Sequence, residues 1–433
     1  VPDPRLDADA AQILRTNDRG RYTVPTAGLY PFQWNWDSCL VALGWAAVDE
    51  DRAFAEIETL FAHQWPDGMM PHIVFHKADP GYFPGPDVWG TDGDPATSGI
   101  TQPPVAAICL RWLSERAGDR ARAAEATAAL VGKLDAWHRW WRRARDPQGT
   151  GLVAVLHPWE TGMDNSPAWD AALARVPADD VPPYQRRDTG HVDADQRPRQ
   201  FEYDRYLALV HLFREAGWDP DRLHDLSPFR VVDVGINGLL LRAERDLVHL
   251  AREAGREDIA AAAGDRANAI DAALDHLWDE ASGLYKSWDR VADAFVPTAT
   301  SAGFLPLAGG NLPARRREAL LATLDGWLDA APYGLPTVHP NDPAFDAKRY
   351  WRGPSWAIVD FLVMLGLTQT GEVARADRLA AMAAGKIRTG GFWEYFHPLT
   401  GQGLGGHDFS WTAAMWLAWL THVPPVEELP DRV

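Results

Sequence analysis

The sequence predicts an all-α protein, an (α/α)6 barrel in which six helical hairpins close into a toroid with long functional loops at one end. Two observations carry that expectation. Apolar residues recur at helical spacing along most of the chain, and tight polar turns broadly alternate with long loops rich in Gly, Pro and aromatic residues. Antiparallel helices joined by short turns pair as hairpins, which gathers the short turns at one end and the long loops at the other.

Taken in order, Phe54, Ile57 and Phe61 form one apolar stripe, and Leu130, Leu134, Trp137 and Trp141 form the next. Ile236, Leu240, Ala243, Leu247, Leu250 and Ala254 keep the same beat, as do Ile270, Leu274 and Leu277. Ser227-Pro228 supplies an N-cap with a first-turn proline, and Gly255 ends that helix. The stripes add up to about twelve or thirteen helices, with no run of alternating strands. Short β pieces are expected at 152–156 and 283–288. The tight turns fall at 48–52, 117–120, 254–258 and 370–372. The long loops fall at 18–33, 65–101, 146–200, 280–312, 330–353 and 389–407. Loops of that length are functional or disordered, and their aromatic content argues against disorder. With no linker or low-complexity segment, residues 1–433 read as a single domain.

Composition removes several classes of function. Lys and Arg number 42 against 60 Asp and Glu, a net charge of −18, which leaves no basic surface for nucleic acid. The longest apolar stretch, 356–367, is too short to span a membrane and contains Asp360. Two cysteines, Cys39 and Cys109, cannot make a disulfide framework or a cysteine zinc site. The chain opens Val-Pro-Asp-Pro-Arg, with no apolar signal core, and reads as cytoplasmic. Tryptophan is the outlier at 21 residues, many of them in loops beside carboxylates. Flat apolar faces ringed by hydrogen-bonding groups suit sugars.

Three constellations could carry chemistry. In His157-Pro-Trp159-Glu160-Thr-Gly-Met-Asp164-Asn-Ser-Pro, two carboxyls four residues apart flank Gly162. A carboxyl desolvated against an indole favours its neutral form and becomes a usable general acid. The plainer alternative is that Asp164 or Ser166 caps a helix starting near Pro167. In Gly390-Gly-Phe-Trp-Glu394-Tyr-Phe-His-Pro, one carboxylate stands among aromatics, where an unused charge is costly unless Arg388 or Arg352 pairs with it. In Tyr30-Pro-Phe-Gln-Trp34-Asn-Trp36-Asp37, two indoles and an acceptor make a stacking platform for a sugar, or a helix start with aromatic staples. Further loop candidates are His72, Tyr82, Gln102, Arg197, Tyr203, Tyr350, Trp351 and Trp356.

Other patterns carry less. Gly401-Gln-Gly403-Leu-Gly-Gly406 satisfies G-x-G-x-x-G but lacks a βαβ context. His72 and His76 have metal-like spacing without a third ligand. Arg139 to Arg145 reads as the solvated end of a helix.

Read together, these segments resemble glycoside hydrolase family 63, and within it the bacterial mannosylglycerate/glucosylglycerate hydrolase branch. The carriers are Tyr30 to Asp37, Gln64 to Ile73 (QWPDGMMPHI), Trp159 to Pro167, Tyr350 to Trp356 (YWRGPSW) and Phe392 to Phe396 (FWEYF). The resemblance implies an (α/α)6 barrel and an inverting α-glycosidase with Asp164 as general acid and Glu394 as general base. It implies a non-reducing sugar bound near Tyr30, Trp34, Asp37, Gln102 and Trp356. It sets His72, Tyr82, Arg197, Tyr203, Tyr350 and Trp351 around the sugar or the leaving group. A guanidinium such as Arg197 can hold a glycerate carboxylate bidentately, and Arg186, Arg187 and Arg199 compete for that role.

Inverting hydrolysis needs two carboxyls about 6.5–9.5 Å apart, one protonated and one ionised, with water between the base and the anomeric carbon. Trp159, by desolvation, and Glu160, by like charge, would both favour a protonated Asp164, which makes Glu160 a supporting residue or the alternative acid. No metal or organic cofactor is required, and the partner called for is a small carbohydrate, with self-association into a homo-oligomer left open. An α-linked glucose disaccharide or glucosylglycerol is an alternative substrate. A sugar epimerase or lyase recruiting His72, His397 or His407, or a non-catalytic sugar binder, is the alternative of another class.

Overall fold

The computed structural model describes residues 3–423. Helices of the toroid are, in chain order, α1 (Pro4–Asn17), α2 (Asn35–Trp45), α3 (Glu50–Phe61), α4 (Ala106–Arg116) and α5 (Arg120–Arg145). After α6 (Gln200–Glu215) come α7 (Val234–Glu253), α8 (Glu257–Leu274), the short α9 (Pro306–Gly309) and α10 (Ala314–Ala330). The last are α11 (Ala357–Gln369), α12 (Val373–Gly390) and α13 (Ser410–Met415), which continues as a π turn through Trp416–Leu420.

Six of these form a closed inner ring. α2 packs on α4, α4 on α7, α7 on α9, α9 on α11, α11 on α13, and α13 returns to α2. The outer layer sets α3 against α2, α5 against α4, α8 against α7, α12 against α11 and α1 against α13. This is the helical-hairpin toroid that the periodicity predicts. α6 stands outside the ring, against the short helix Pro86–Trp89.

The two layers differ in a way that follows from their position. Every residue of α2 is buried, polar ones included, and so is every residue of α11 from Ala357 to Leu367. A helix enclosed on all sides has no solvent face and hence no stripe. The outer helices α3 and α8 keep one buried face. Aspartates cap the outer starts: Asp49 accepts from the Arg52 amide of α3, and Asp119 accepts from the Ala121 and Arg122 amides of α5. Helix α7 starts later than Ser227-Pro228 suggests. Asp233 caps it through the Ile236 amide at 2.7 Å, and Ser227 instead ends the helix Pro220–Leu226. No helix among the described residues is long and apolar enough to cross a membrane.

Strands are small and belong to the loops. β1 (Gln33–Trp34) pairs with β2 (Ile73–Val74), and β3 (Val231–Val232) with β6 (Trp288–Asp289), which also pairs with β7 (Ala294–Phe295). β4 (Trp278–Asp279) pairs with β5 (Leu284–Tyr285), and β8 (Trp393–Phe396) with β9 (Gly403–His407). The extended run 152–156 contributes a single bridge, Val155 to Val231.

Candidate active site

Glu394 lies on β8, where the register with β9 shifts between Trp393 and Tyr395. Such a bulge re-aims a side chain, here into the mouth of the ring. Its carboxylate is almost wholly buried and well supplied with donors. The Tyr30 hydroxyl donates to Oε1 at 2.9 Å, the Gly406 amide donates to Oε2 at 3.0 Å, and Arg197 Nη1 lies 3.7 Å from Oε1. Burial raises its pKa above the ordinary value, while Arg197, Gly406 and Tyr30 pull the other way by favouring the charged form. Gly405 has φ +75°, and a Cβ there would collide with the Glu394 carboxylate. The glycines that mimic a dinucleotide fingerprint thus form a strand that passes close to a carboxylate.

Asp164 follows the 3-10 turn Pro158–Thr161. Gly162, at φ +70°, lets that turn lie on Trp36, since a Cβ would sit 2.6 Å from the indole. The turn is pinned on three sides: the Tyr206 hydroxyl donates to the Asp164 carbonyl at 2.8 Å, Trp169 Nε1 donates to the Met163 carbonyl, and the Trp351 amide donates to Asn165 Oδ1. Ser166, not Asp164, caps the next turn, through the Ala168 amide. The Asp164 carboxyl is therefore free for the cavity. Its pKa is pushed up to about 8, chiefly by burial, with Glu394 adding and Arg197 opposing.

Both carboxyls line one cavity of about 100 Å³. Tyr30, Trp34, Trp36, Asp37, His72, Tyr82, Gln102, Trp159, Arg197, Tyr203 and Tyr350 line it too. Asp37, in the first turn of α2, is held well above the ordinary carboxylate range by burial and by the charges of Glu394 and Asp164. The Gln102 side-chain oxygen accepts from the Trp36 amide at 3.2 Å, which fixes the orientation of that group. His72 stacks on Trp159 and is held neutral by burial, whereas His76 stacks on Tyr22 and contacts Gln33. Among the described residues, no cluster of His, Cys, Asp and Glu could hold a metal ion.

Of the competing arginines, Arg186 is committed to Asp188 and to the Pro198 carbonyl, and Arg199 sits at the start of α6 outside the cavity wall. Arg197 is buried, donates through Nε to Asp188 at 3.2 Å, and lies 4.3 Å from the Tyr350 ring centre. Its Nη1 is buried without a hydrogen-bond partner. With only the Glu394 carboxylate near it, at 3.7 Å, this nitrogen still has a hydrogen bond to give to a ligand oxygen.

Four readings require correction. Glu160 does not face Asp164. It is fully buried in an ion pair with Arg145, whose Nη2 approaches Oε1 to 2.5 Å, and it accepts the Leu156 amide. It lies outside the cavity wall, because the 3-10 turn sends it toward the last turn of α5. Arg145, accordingly, is not solvated, although Arg139 and Arg143 are exposed. Trp351 and Trp356 are not wall residues either. They stack on each other at 3.7 Å and 4° and support Tyr350 from behind. Arg352 and Arg388 do not pair with Glu394: the first binds Asp170 and the second the Val423 carbonyl.

Residues that sequence reasoning missed also reach the wall. Asp188 holds Arg186 and Arg197 together, and His191, Phe409 and Trp411 complete the lining beside Arg187, the competing arginine that does reach the wall. Only the density of charge in loop 146–200 hinted at Asp188 and His191.

Comparison with known proteins accords with this geometry. The profile of the mannosylglycerate hydrolase MGH1-like glycoside hydrolase domain matches residues 30–412. The chain is 53% identical over 411 residues to the mannosylglycerate hydrolase MGH1 of Selaginella moellendorffii, covering 94% of this chain and 84% of that protein. It is 38% identical to a glucosylglycerate hydrolase of Mycolicibacterium hassiacum, covering 96% and 98%. The crystal structure of the family 63 mannosylglycerate hydrolase of Thermus thermophilus, in complex with Tris and D-glycerate, superposes with a TM-score of 0.93. That protein is 50% identical, over 96% of this chain and 99% of its own. With the toroid and the carboxyl-lined cavity, these matches show that the chain is a glycosidase and belongs to the MGH1-like family of mannosylglycerate and glucosylglycerate hydrolases within glycoside hydrolase family 63.

Proposed function

We propose that the protein hydrolyses mannosylglycerate or glucosylglycerate with inversion, Asp164 acting as general acid and Glu394 as general base. The observation that carries the reading is that two carboxyls line one cavity, and that the burial which raises both is opposed at Glu394 by several hydrogen-bond donors. Asp164 keeps its proton to about pH 8, whereas Glu394 is surrounded by donors that favour its anion. One can then protonate the departing aglycone oxygen while the other takes a proton from the attacking water. Asp37 and Gln102 supply polar atoms for sugar hydroxyls, and Trp34, Trp36 and Trp159 supply ring faces. The Nη1 of Arg197, which makes no hydrogen bond and lies 3.7 Å from Glu394, favours an aglycone carrying a carboxylate over glycerol or a second sugar. The names of the relatives support a glycerate aglycone and divide on the glycone.

The test is a hydrolysis panel of mannosylglycerate, glucosylglycerate, glucosylglycerol and α-linked glucose disaccharides, with the first-formed anomer followed by NMR. The reading requires glycerate release and a β-sugar. Release of the α-anomer, or equal turnover of the uncharged substrates, rejects it. Asp164→Asn and Glu394→Gln should each lower turnover by about 10²–10⁴-fold in a folded protein.

A further inference from the structure

A second cavity, larger than the first, lies away from it between the loop after α5, the segment leading into β3, and the loop after α8. Its volume is about 660 Å³, within the usual range for a small-molecule site, and it shares no wall residue with the first. Its chemistry is also different. Asp293 is its one carboxylate, so it lacks the pair that hydrolysis needs. Instead Arg230 and Arg290 share the wall with Trp288, His224 and His276.

The two guanidiniums are not equivalent. Arg290 is spoken for: it donates to Gln148, Thr150 and the Leu152 carbonyl and lies 3.5 Å from Asp146. Arg230 donates only to the His224 carbonyl, its Nε is buried with no hydrogen-bond partner, and among the described residues no carboxylate lies within ion-pair distance of it. Next to it His224, almost fully buried, has its Nδ1 3.6 Å from the exposed carboxylate of Asp225 and no closer hydrogen-bond partner on either ring nitrogen. Burial, with the two guanidiniums, lowers the pKa of that imidazole against the opposing pull of Asp225, which disfavours a further cation there. An uncompensated, partly buried cation beside a second one is costly unless an anion joins them. Trp288 adds a flat apolar face and Thr150 and Gln148 add polar groups, the requirements of a polyol.

We infer that this cavity is a second ligand site for a small polyhydroxylated anion, with its carboxylate or phosphate on Arg230 and its carbon skeleton against Trp288. The inference does not depend on which glycoside the first cavity takes.

The test measures binding of gluconate, glucose 6-phosphate and neutral glucose by calorimetry to the intact protein, to Arg230→Gln and to Arg197→Gln. The second of these variants reports on the first cavity. The site requires at least one of the two anions to bind saturably. Arg230→Gln should weaken that binding by about tenfold or more, the usual cost of a lost charge-assisted hydrogen bond. Arg197→Gln should leave it unchanged. Whichever anion binds more tightly identifies carboxylate or phosphate as the recognised group. No saturable binding, binding retained in Arg230→Gln, binding lost in Arg197→Gln, or glucose binding as tightly as the anions overturns the inference. Should Arg230→Gln fail to fold by circular dichroism, Trp288→Ala replaces it with the same outcomes.

Discussion

The Tyr30 hydroxyl donates to Glu394 Oε1 at 2.9 Å, and this bond joins the loop before α2 to the hairpin before α13. It favours the ionised carboxylate. Removing it in Tyr30→Phe should raise the pKa of Glu394. A base that must be ionised then fails at higher pH, so the acid limb of the kcat/KM profile should move up, by about one pH unit for a bond of ordinary strength. An unmoved limb would separate Glu394 from the titration that controls catalysis.

As the proposed general acid, Asp164 should govern the opposite limb. With its pKa near 8, activity should fall as pH rises through about 8. The same group affects stability. Its folded-state pKa exceeds the ordinary 3.8, so the folded protein holds a proton that the unfolded chain has released between those values. Its contribution is fully present below about 3.8 and is lost as pH rises to about 8. Asp164→Asn, neutral throughout, should therefore gain in Tm relative to the parent across that window. A constant Tm difference from pH 4 to 8 would contradict the assignment.

Arg145 and Glu160 anchor the turn that carries Asp164 without touching the cavity. Glu160→Gln leaves a guanidinium buried and uncompensated, at a cost of about 3–5 kcal/mol in urea unfolding. The double change Arg145→Met with Glu160→Gln should cost less than Glu160→Gln alone, since it removes the stranded charge and keeps an acceptor for the Leu156 amide.

Gly405 has no room for a methyl group on the side of Glu394. Gly405→Ala should reduce kcat/KM by about tenfold or more while its left-handed backbone adds about 1–2 kcal/mol of strain. Activity and stability measured on one preparation separate the two effects. A large loss of stability with unchanged kcat/KM would show that the strand, not the carboxylate, had moved.

Much of this organisation was legible from residue order alone. Outer helices announce themselves through stripes such as Leu130, Leu134, Trp137 and Trp141, because one face meets solvent. Most of the cavity wall was legible as well, since Tyr30, Trp34, Asp37, Asp164 and Glu394 are polar or aromatic residues in Gly/Pro-rich segments, where packing alone does not call for them. What stayed hidden depends on which loop lies against which. Nothing in the order of residues tells that Glu160 turns away from Asp164 to meet Arg145, or that Trp351 and Trp356 stack on each other behind Tyr350. Asp188 was missed because a charged loop has no period, and Gly405 and Gly406 because their spacing imitates another motif.

Closure of the inner ring by α13 against α2 has a kinetic corollary. A ribosome delivers Tyr30 long before Glu394, and the two meet only when the last inner helix docks. Hydrolytic competence should therefore emerge in a single late event during synthesis, with no partly active precursor, so that activity can serve as a clock for completion of the fold.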